Sequence, residues 1–400
     1  MTVAIVRISH AAASGLRKEL AEMQLANGRG PQCSITALAV ALAVLLALAL
    51  RVEDAWWAAI SAFVSTRATA PASVERGGLR ILGTIVGAAL SLLLSPWLAG
   101  DTVTLTLALF VVSTMGVLGM LVSPHGYAWL LGAITVDMVL MALLSDPLSA
   151  VSVAVNRSAE VIIGTGAAVL VSLLLAPDAD AAPDAPPPGW TDLSGAQWPA
   201  VEHALRAGTG VMLVPLVWNW LELPSLSQTA VTVAAVMAVP ALSADSASNR
   251  LAVTERAMHR ILGCLIGGVA GLGCLALSVE TFLPWLLMLT AGVWVAAHVQ
   301  GSARGIGYVG TQGAVVFMIT LVQGAGPPQS IMPGVERFAG ITGGLLILVA
   351  VSVLSAPSTD VTGRRINGLL NRMLHNGAST RPLVSGPARS RAADDASKRP

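Results

Sequence analysis

The stretch ERGGLRILGTIVGA, residues 75–88, decides the fold class of this chain. It begins with three ionisable side chains in six positions and then becomes almost wholly apolar. Residues 255–268 read ERAMHRILGCLIGG and repeat the pattern Glu-Arg-x-x-x-Arg-Ile-Leu-Gly at an offset of 180 residues. The recurrence predicts a duplicated unit in which each copy places charged side chains against an apolar segment.

The composition indicates an all-α integral membrane protein. Charged residues make up 11% and apolar residues 54% of the 400 positions. A soluble domain carries about 25% charged residues, so this chain could not cover a water-facing surface. Its apolar runs instead have the length of membrane spans, which need about 20 residues each. The net charge of +1 gives no indication of nucleic acid, and we expect no such partner.

The beginning of the chain does not resemble a cleaved signal peptide. Charges at residues 17–19 interrupt any apolar run, and no small-residue cleavage site follows. We expect a short interfacial helix there instead. The three cysteines show no metal-ligand spacing, so we expect neither a metal site nor a disulfide framework, and no cofactor is indicated.

Apolar runs between turn signals predict twelve transmembrane helices, six in each half of the chain. The predicted spans are 33–50, 56–73, 79–98, 103–122, 126–145, 157–176, 203–218, 224–243, 258–277, 282–299, 305–323 and 336–356. Because six spans return the chain to its starting side, the two repeats have the same orientation. We expect a pseudo-twofold axis along the membrane normal, as in parallel-repeat transporters.

These spans divide the chain into five segments. They are an N-terminal cytoplasmic segment (1–31), a first six-span repeat (32–177), a linker (178–200), a second six-span repeat (201–357) and a basic, partly disordered cytoplasmic tail (358–400). The linker is rich in Pro and Asp, which disfavour helix and lipid. Most Lys and Arg residues lie on the cytoplasmic side if the N-terminus is inside, so we expect both termini in the cytoplasm.

The repeated motif contains the first candidate functional residues. Arg80 and Arg260 begin equivalent spans, and Glu75 and Glu255 precede them. One interpretation is that the arginines reach the lipid headgroups and the glutamates pair with neighbouring arginines. The other is that both guanidinium groups converge near the pseudo-twofold axis and bind an anionic substrate. On that second interpretation the two glutamates are candidates for coupling.

Glycines follow each arginine at helical spacing. Gly83 and Gly87 follow Arg80, and Gly263 and Gly267 follow Arg260. Such G-x-x-x-G faces let helix backbones approach closely in lipid. We therefore expect these helices to be tightly packed, either for packing alone or to bring the arginines together.

Two further arginines break the charge rule at equivalent positions. Arg157 and Arg337 begin the last span of each half from the outer side. They either form ion pairs, Arg157 with Asp146 and Arg337 with Glu336, or make an outer ring that attracts anions.

Asp137 is the best single candidate for proton coupling. It lies near the middle of a predicted span, where an acid costs about 2.5–3.5 kcal/mol on insertion scales. Intramembrane carboxyl groups commonly bind and release protons in transporters. The alternative is a structural Asp hydrogen-bonded to a nearby Ser or Thr.

The motifs together resemble the fusaric acid resistance family, also called aromatic acid exporters. The resemblance rests on WWAAISAFV (56–64), on P-x-x-x-E-R-x-x-x-R-I-L-G-T-I-V-G-A (71–88) and on LSDPLSAVSVAVNRSAEVIIGTG (144–166). It implies a bacterial inner-membrane exporter of aromatic carboxylic acids, working beside a periplasmic adaptor of the membrane-fusion type. It also implies that Arg80, Arg157, Arg260 and Arg337 line the substrate path. Many members carry a large cytoplasmic domain, for which this sequence has only a short linker and a tail.

Several function classes compete with this interpretation. A passive anion channel, similar to plant malate-permeable channels, would use the same arginines. A nucleotide-driven pump is disfavoured because no G-x-x-x-x-G-K-[ST] motif occurs. A major-facilitator carrier is disfavoured because SVERGGLR (73–80) does not match that family's loop motif. An enzyme is disfavoured because no clustered nucleophile, base or metal ligands appear.

Overall fold

The computed structural model describes most of both predicted repeats. It describes residues 2–25, 28–179, 189–191, 193–194, 197–221, 226–239, 246–277, 281–324 and 332–354. The predicted tail (358–400) and the middle of the predicted linker (180–188) lie outside these ranges, and the side chain of Arg337 is not described either.

The described residues form thirteen α-helices and no β-strand. In chain order the helices are α1 (Thr2–Ala21), α2 (Gly30–Ala49), α3 (Ala55–Ser65), α4 (Ala70–Leu98), α5 (Thr102–Val122), α6 (Gly126–Ser145), α7 (Pro147–Leu175), α8 (Trp198–Leu221), α9 (Leu226–Met237), α10 (Ser246–Ala276), α11 (Phe282–Gln300), α12 (Gly307–Leu321) and α13 (Met332–Leu354).

Seven of the described helices are long and apolar enough to cross a membrane. They are α2, α4, α5, α6, α7, α10 and α11. Shorter apolar helices or helical segments cover Ala55–Ser65, Ser227–Met237, Gly307–Leu321 and Phe338–Val351. The prediction of an all-α architecture with several membrane spans is therefore confirmed.

Several helices begin earlier than the predicted membrane spans, because helix-capping residues lie upstream of those spans. The prediction began the third span at residue 79, but α4 begins at Ala70, where the Thr69 hydroxyl accepts from the Ala72 amide at 3.4 Å. Likewise α7 begins at Pro147, not at residue 157, with Asp146 as its N-cap. Both helices reach 29 residues. The charged motif of residues 75–80 consequently lies inside α4 and not before it.

Helices from the two halves of the chain pack against each other reciprocally. The first helix of one half packs on the fourth helix of the other, as α2 does on α11 and α8 on α5. The second helix of one half contacts the fifth of the other, as α3 does with α12 and α9 with α6. One apolar core joins Val40 and Phe63 to Leu289 and Met318, and another joins Leu109 and Leu140 to Val211 and Val233.

Helix α1 is tied to the second half through a buried carboxylate. Glu19 is fully buried and forms ion pairs with Arg29 and Arg304, the latter at 2.6 Å. The Ser302 hydroxyl also donates to Glu19 at 2.6 Å. These contacts attach α1 to the loop between α11 and α12.

Candidate functional site

Arg80 and Arg260 are buried inside their helices at equivalent positions. Arg80 lies ten residues after the first residue of α4, about 15 Å along the helix axis, and is 4% exposed. Arg260 lies within α10 and is 1% exposed. Neither side chain reaches the exposed surface, as anchoring to lipid headgroups would require.

Neutral oxygen atoms hold both guanidinium groups. Arg80 donates from Nη1 to the Tyr127 hydroxyl at 3.0 Å and from Nη2 to the Ser61 hydroxyl at 3.1 Å. Arg260 donates from Nη1 to the Tyr308 hydroxyl at 3.2 Å and from Nη2 to the Thr232 hydroxyl at 3.2 Å. The two arginines are thus bound in the same way, each by side chains of its own half.

Arg260 has an additional amide partner. Its Nη1 donates to Gln312 Oε1 at 2.9 Å. Gln312 lies four residues after Tyr308, and the residue four after Tyr127 is Leu131. The two sites therefore share an arginine, a tyrosine and a hydroxyl residue but differ in polarity beside the tyrosine.

Each tyrosine also stacks with a second arginine of the motif. The Cζ of Arg76 lies 3.1 Å from the centre of the Tyr127 ring, and that of Arg256 lies 4.0 Å from the Tyr308 ring. Neither tyrosine was predicted to be a site residue from the sequence. A signal was available, because the chain contains only two tyrosines and they lie 181 positions apart, close to the repeat offset.

The structure brings Arg157 close to Arg80. Arg157 is 5% exposed, and its Cζ lies 3.4 Å from the centre of the Trp57 ring. The Trp57 ring lies one helical turn before Ser61 of α3, which accepts a hydrogen bond from Arg80, so both guanidinium groups contact the same stretch of α3. Helices α4 and α7 pack together, with Gly77 against Thr165 and Val169. The first half thus gathers two arginines that the sequence placed near opposite membrane faces.

The ion pair that the sequence offered as an alternative for Arg157 does not form. Asp146 instead caps α7 by accepting from the Leu148 amide at 3.2 Å. Glu160 accepts from the Asp54 amide at 3.3 Å. Within the described ranges, no carboxylate lies within ion-pair distance of Arg80, Arg157 or Arg260.

Several nitrogen atoms of these arginines have no hydrogen-bond partner among the described residues. They are Nε of Arg80, Nε and Nη1 of Arg157, and Nε of Arg260. A buried charge without a partner is costly, because the protein interior does not replace the hydration that the charge loses. Such nitrogen atoms can donate hydrogen bonds to an anion that enters the site.

The glycines after each arginine lie against a neighbouring helix backbone. Gly83 and Gly87 of α4 lie against Ala128 and Gly132 of α6. Gly263 and Gly267 of α10 lie against Val309 and Gly313 of α12. A β-carbon on Gly87 or Gly263 would lie 2.5 Å from a carbonyl oxygen of the neighbouring helix. This close approach brings each tyrosine within reach of its arginine.

The candidate coupling residues lie in two different environments. Asp137 is fully buried in α6, and the Ser113 hydroxyl of α5 lies 3.0 and 2.9 Å from its two carboxyl oxygens. This hydroxyl contact is the one that the structural alternative for Asp137 requires. Glu75 and Glu255 are exposed. In the described part of the chain, no group of three His, Cys, Asp or Glu side chains could hold a metal ion.

The first half of the chain has recognisable relatives. Residues 35–184 match the fusaric acid resistance protein family. The resemblance inferred from the sequence is therefore confirmed for this segment, which contains Arg80, Arg157 and Tyr127. No solved structure matches the chain.

Curated relatives of this family segment are named p-hydroxybenzoic acid efflux pump subunit AaeB. Those from Salmonella paratyphi A and Salmonella arizonae are 28% identical to the chain over 152 residues. The match covers 35% of this chain and 23% of each relative. Together with the apolar helices, the similarity fits a multi-pass membrane protein of an efflux family.

Proposed function

We propose that the protein exports small aromatic or other organic acid anions across a bacterial inner membrane, driven by the proton gradient. The observation that carries this proposal is the burial of Arg80, Arg157 and Arg260 with no carboxylate of the described residues at ion-pair distance. A guanidinium group keeps its charge under all physiological conditions and matches the planar shape of a carboxylate. The name of the relatives supports an aromatic acid as the substrate.

The proposed architecture has twelve spans in two parallel six-helix repeats. The reciprocal packing of α2 on α11 and of α8 on α5 supports a twofold relation between the halves. The equivalent surroundings of Arg80 and Arg260 support it as well. In this arrangement Arg337 is the counterpart of Arg157, and both termini lie in the cytoplasm.

In the proposed transport step, the substrate carboxylate binds arginine nitrogen atoms that the protein itself leaves without a hydrogen-bond partner among the described residues. A carboxylate entering beside Arg80 and Arg157 would accept hydrogen bonds from nitrogen atoms that lack a partner. It would also reduce the repulsion between the two like charges. Asp137 is the proposed proton carrier, with Glu75 and Glu255 as exposed candidates. A periplasmic membrane-fusion adaptor is the proposed partner on the outer side.

The decisive experiment measures p-hydroxybenzoate transport by the full chain in proteoliposomes, with and without a pH gradient. We expect gradient-dependent transport that Arg80→Gln or Arg260→Gln lowers by about 10- to 100-fold, as expected for a lost charged hydrogen bond. Arg51→Gln is the matched control, because Arg51 is exposed in the loop between α2 and α3. Transport that is absent in the wild type, or equal in all four proteins, would refute the proposal.

The same vesicles distinguish an exporter from a channel. Anion currents that depend on voltage but neither on the pH gradient nor on Asp137 would indicate a passive anion channel. That result would support the arginines as the path of the anion and would contradict proton-driven transport.

A further inference from the structure

Two adjacent tryptophans stack beneath the guanidinium group of Arg157. The rings of Trp56 and Trp57 have centroids 4.3 Å apart and planes 29° apart. The Cζ of Arg157 lies 3.4 Å from the centre of the Trp57 ring. Trp57 is 7% exposed, so this three-layer stack is anchored in the interior.

The stack positions Arg157 without neutralising it. An aromatic ring attracts a cation through its quadrupole and carries no negative charge. A carboxylate in the same place would occupy the N–H groups of the arginine, whereas Nε and Nη1 of Arg157 have no hydrogen-bond partner in the part of the chain that the structure describes. Trp57 therefore holds a cation that stays available to an external anion.

The second half has a different residue at the equivalent position. Gly164 lies against Ala58 and Ser61, and Gly344 lies against Thr229 and Thr232 in the same way. This correspondence aligns Trp57 with Gln228, one residue before Thr229. The two halves are therefore chemically unequal at this position.

We propose that Trp57 is a positioning residue for Arg157, and that the first half carries the high-affinity carboxylate site of the protein. The proposal rests on the proposed function and assigns its substrate affinity to one half. The ligand class is a planar organic carboxylate, bound by the free N–H groups of Arg157 together with Arg80.

The test measures the dissociation constant of p-hydroxybenzoate by isothermal titration calorimetry on the purified full chain. We expect Trp57→Leu to weaken binding about tenfold, as the loss of a buried cation–π contact would. Trp57→Phe retains an aromatic face and is expected to stay within about threefold of the wild type. Trp97→Leu is the matched control, because Trp97 is 69% exposed at the end of α4.

A double-mutant cycle separates positioning from a general effect on the fold. Lysine at position 157 keeps the charge but not the planar stacking group, so Trp57→Leu should cause no further loss in an Arg157→Lys background. The thermal midpoint of each variant is recorded beside its affinity. If Trp57→Leu does not fold, Trp57→Met, which also removes the aromatic face, completes the same cycle, and a loss of affinity seen with Arg157 but not with Lys at position 157 supports the proposal.

The outcomes distinguish this inference from the proposed function. Wild-type affinity in Trp57→Leu, or an equal loss in both backgrounds, overturns the role of Trp57 while leaving the exporter intact. An unchanged affinity in Arg157→Lys, combined with a loss in Arg260→Gln, would move the high-affinity site to the second half. Absence of both binding and transport in the wild type would overturn the proposed function itself.

Discussion

Several ionisable side chains of this protein are buried in apolar helices, where charged groups are rare. Three arginines are buried among neutral hydroxyl, amide and aromatic groups. Asp137 is equally buried, and its described hydrogen-bond partner is the Ser113 hydroxyl. Ionisable residues inside membrane segments are expensive and are usually retained for substrate or proton pathways. Asp137 and the three arginines contact different side chains, which suits two distinct roles, proton transfer for the acid and anion binding for the arginines.

At this scale we predict that Asp137→Asn uncouples transport from the proton gradient. Asparagine keeps the shape and can still bond Ser113, but it cannot take up a proton. Gradient-driven uptake of p-hydroxybenzoate should fall to the level without a gradient, while exchange of labelled for unlabelled substrate continues. Ser113→Ala is the control that removes the hydrogen bond and keeps the carboxyl group. Gradient-driven uptake at the wild-type rate in Asp137→Asn would contradict the coupling role.

At the scale of elements, glycines determine how closely neighbouring helices approach. The pair α4 and α6 and the pair α10 and α12 use equivalent glycines in the same way. Each pair brings a tyrosine of one helix to an arginine of the other. In lipid, close packing replaces the hydrophobic driving force between helices, so small residues are effective at such contacts.

We predict opposite effects for two alanine substitutions in α10. Gly263→Ala places a methyl group 2.5 Å from the Val309 carbonyl oxygen, and the resulting overpacking should cost about 1–3 kcal/mol of unfolding free energy. Gly273→Ala meets no atom within 4 Å and should stabilise the helix by up to about 1 kcal/mol. Thermal unfolding in detergent measures both changes. Equal effects of the two substitutions would show that the α10–α12 contact is not tight.

At the scale of the whole molecule, the two halves interlock. Because α2 packs on α11 and α8 on α5, each apolar core contains side chains from both halves. Glu19 adds an ionic attachment of α1 to the loop between α11 and α12. Neither half buries its apolar surface without the other, so we expect the described residues between positions 2 and 352 to unfold cooperatively.

We predict opposite membrane faces for the two ends of α4. In a cysteine-free variant, Ala99→Cys should react with a membrane-impermeant maleimide in intact spheroplasts, because it lies on the predicted periplasmic side. Ala68→Cys should react only after permeabilisation. Both positions are exposed alanines in short loops, so the pair is matched. The reverse labelling pattern would overturn the predicted orientation with cytoplasmic termini.

Much of this organisation could be predicted from local patterns. The return of Glu-Arg-x-x-x-Arg-Ile-Leu-Gly predicted that Arg80 and Arg260 would be equivalent, and the structure surrounds both with a tyrosine and a hydroxyl residue. Hydropathy alone does not predict the early starts of α4 and α7, because these starts depend on the capping residues Thr69 and Asp146. The stacking of Arg157 on Trp57 could not be predicted, because nothing local pairs residues 100 positions apart.

By itself the sequence determined that this chain is a helical membrane protein with a duplicated charged motif. The low fraction of charged residues indicates a lipid environment, and the recurrence at 180 residues indicates the duplication. Only the tertiary structure decided which groups surround the buried charges. The partners of Arg80 and Arg260 lie 19 to 52 positions away on other helices, and contact between them depends on how closely those helices pack. For the same reason, only the fold could show that Arg157 stacks on an aromatic ring while Asp146 caps α7.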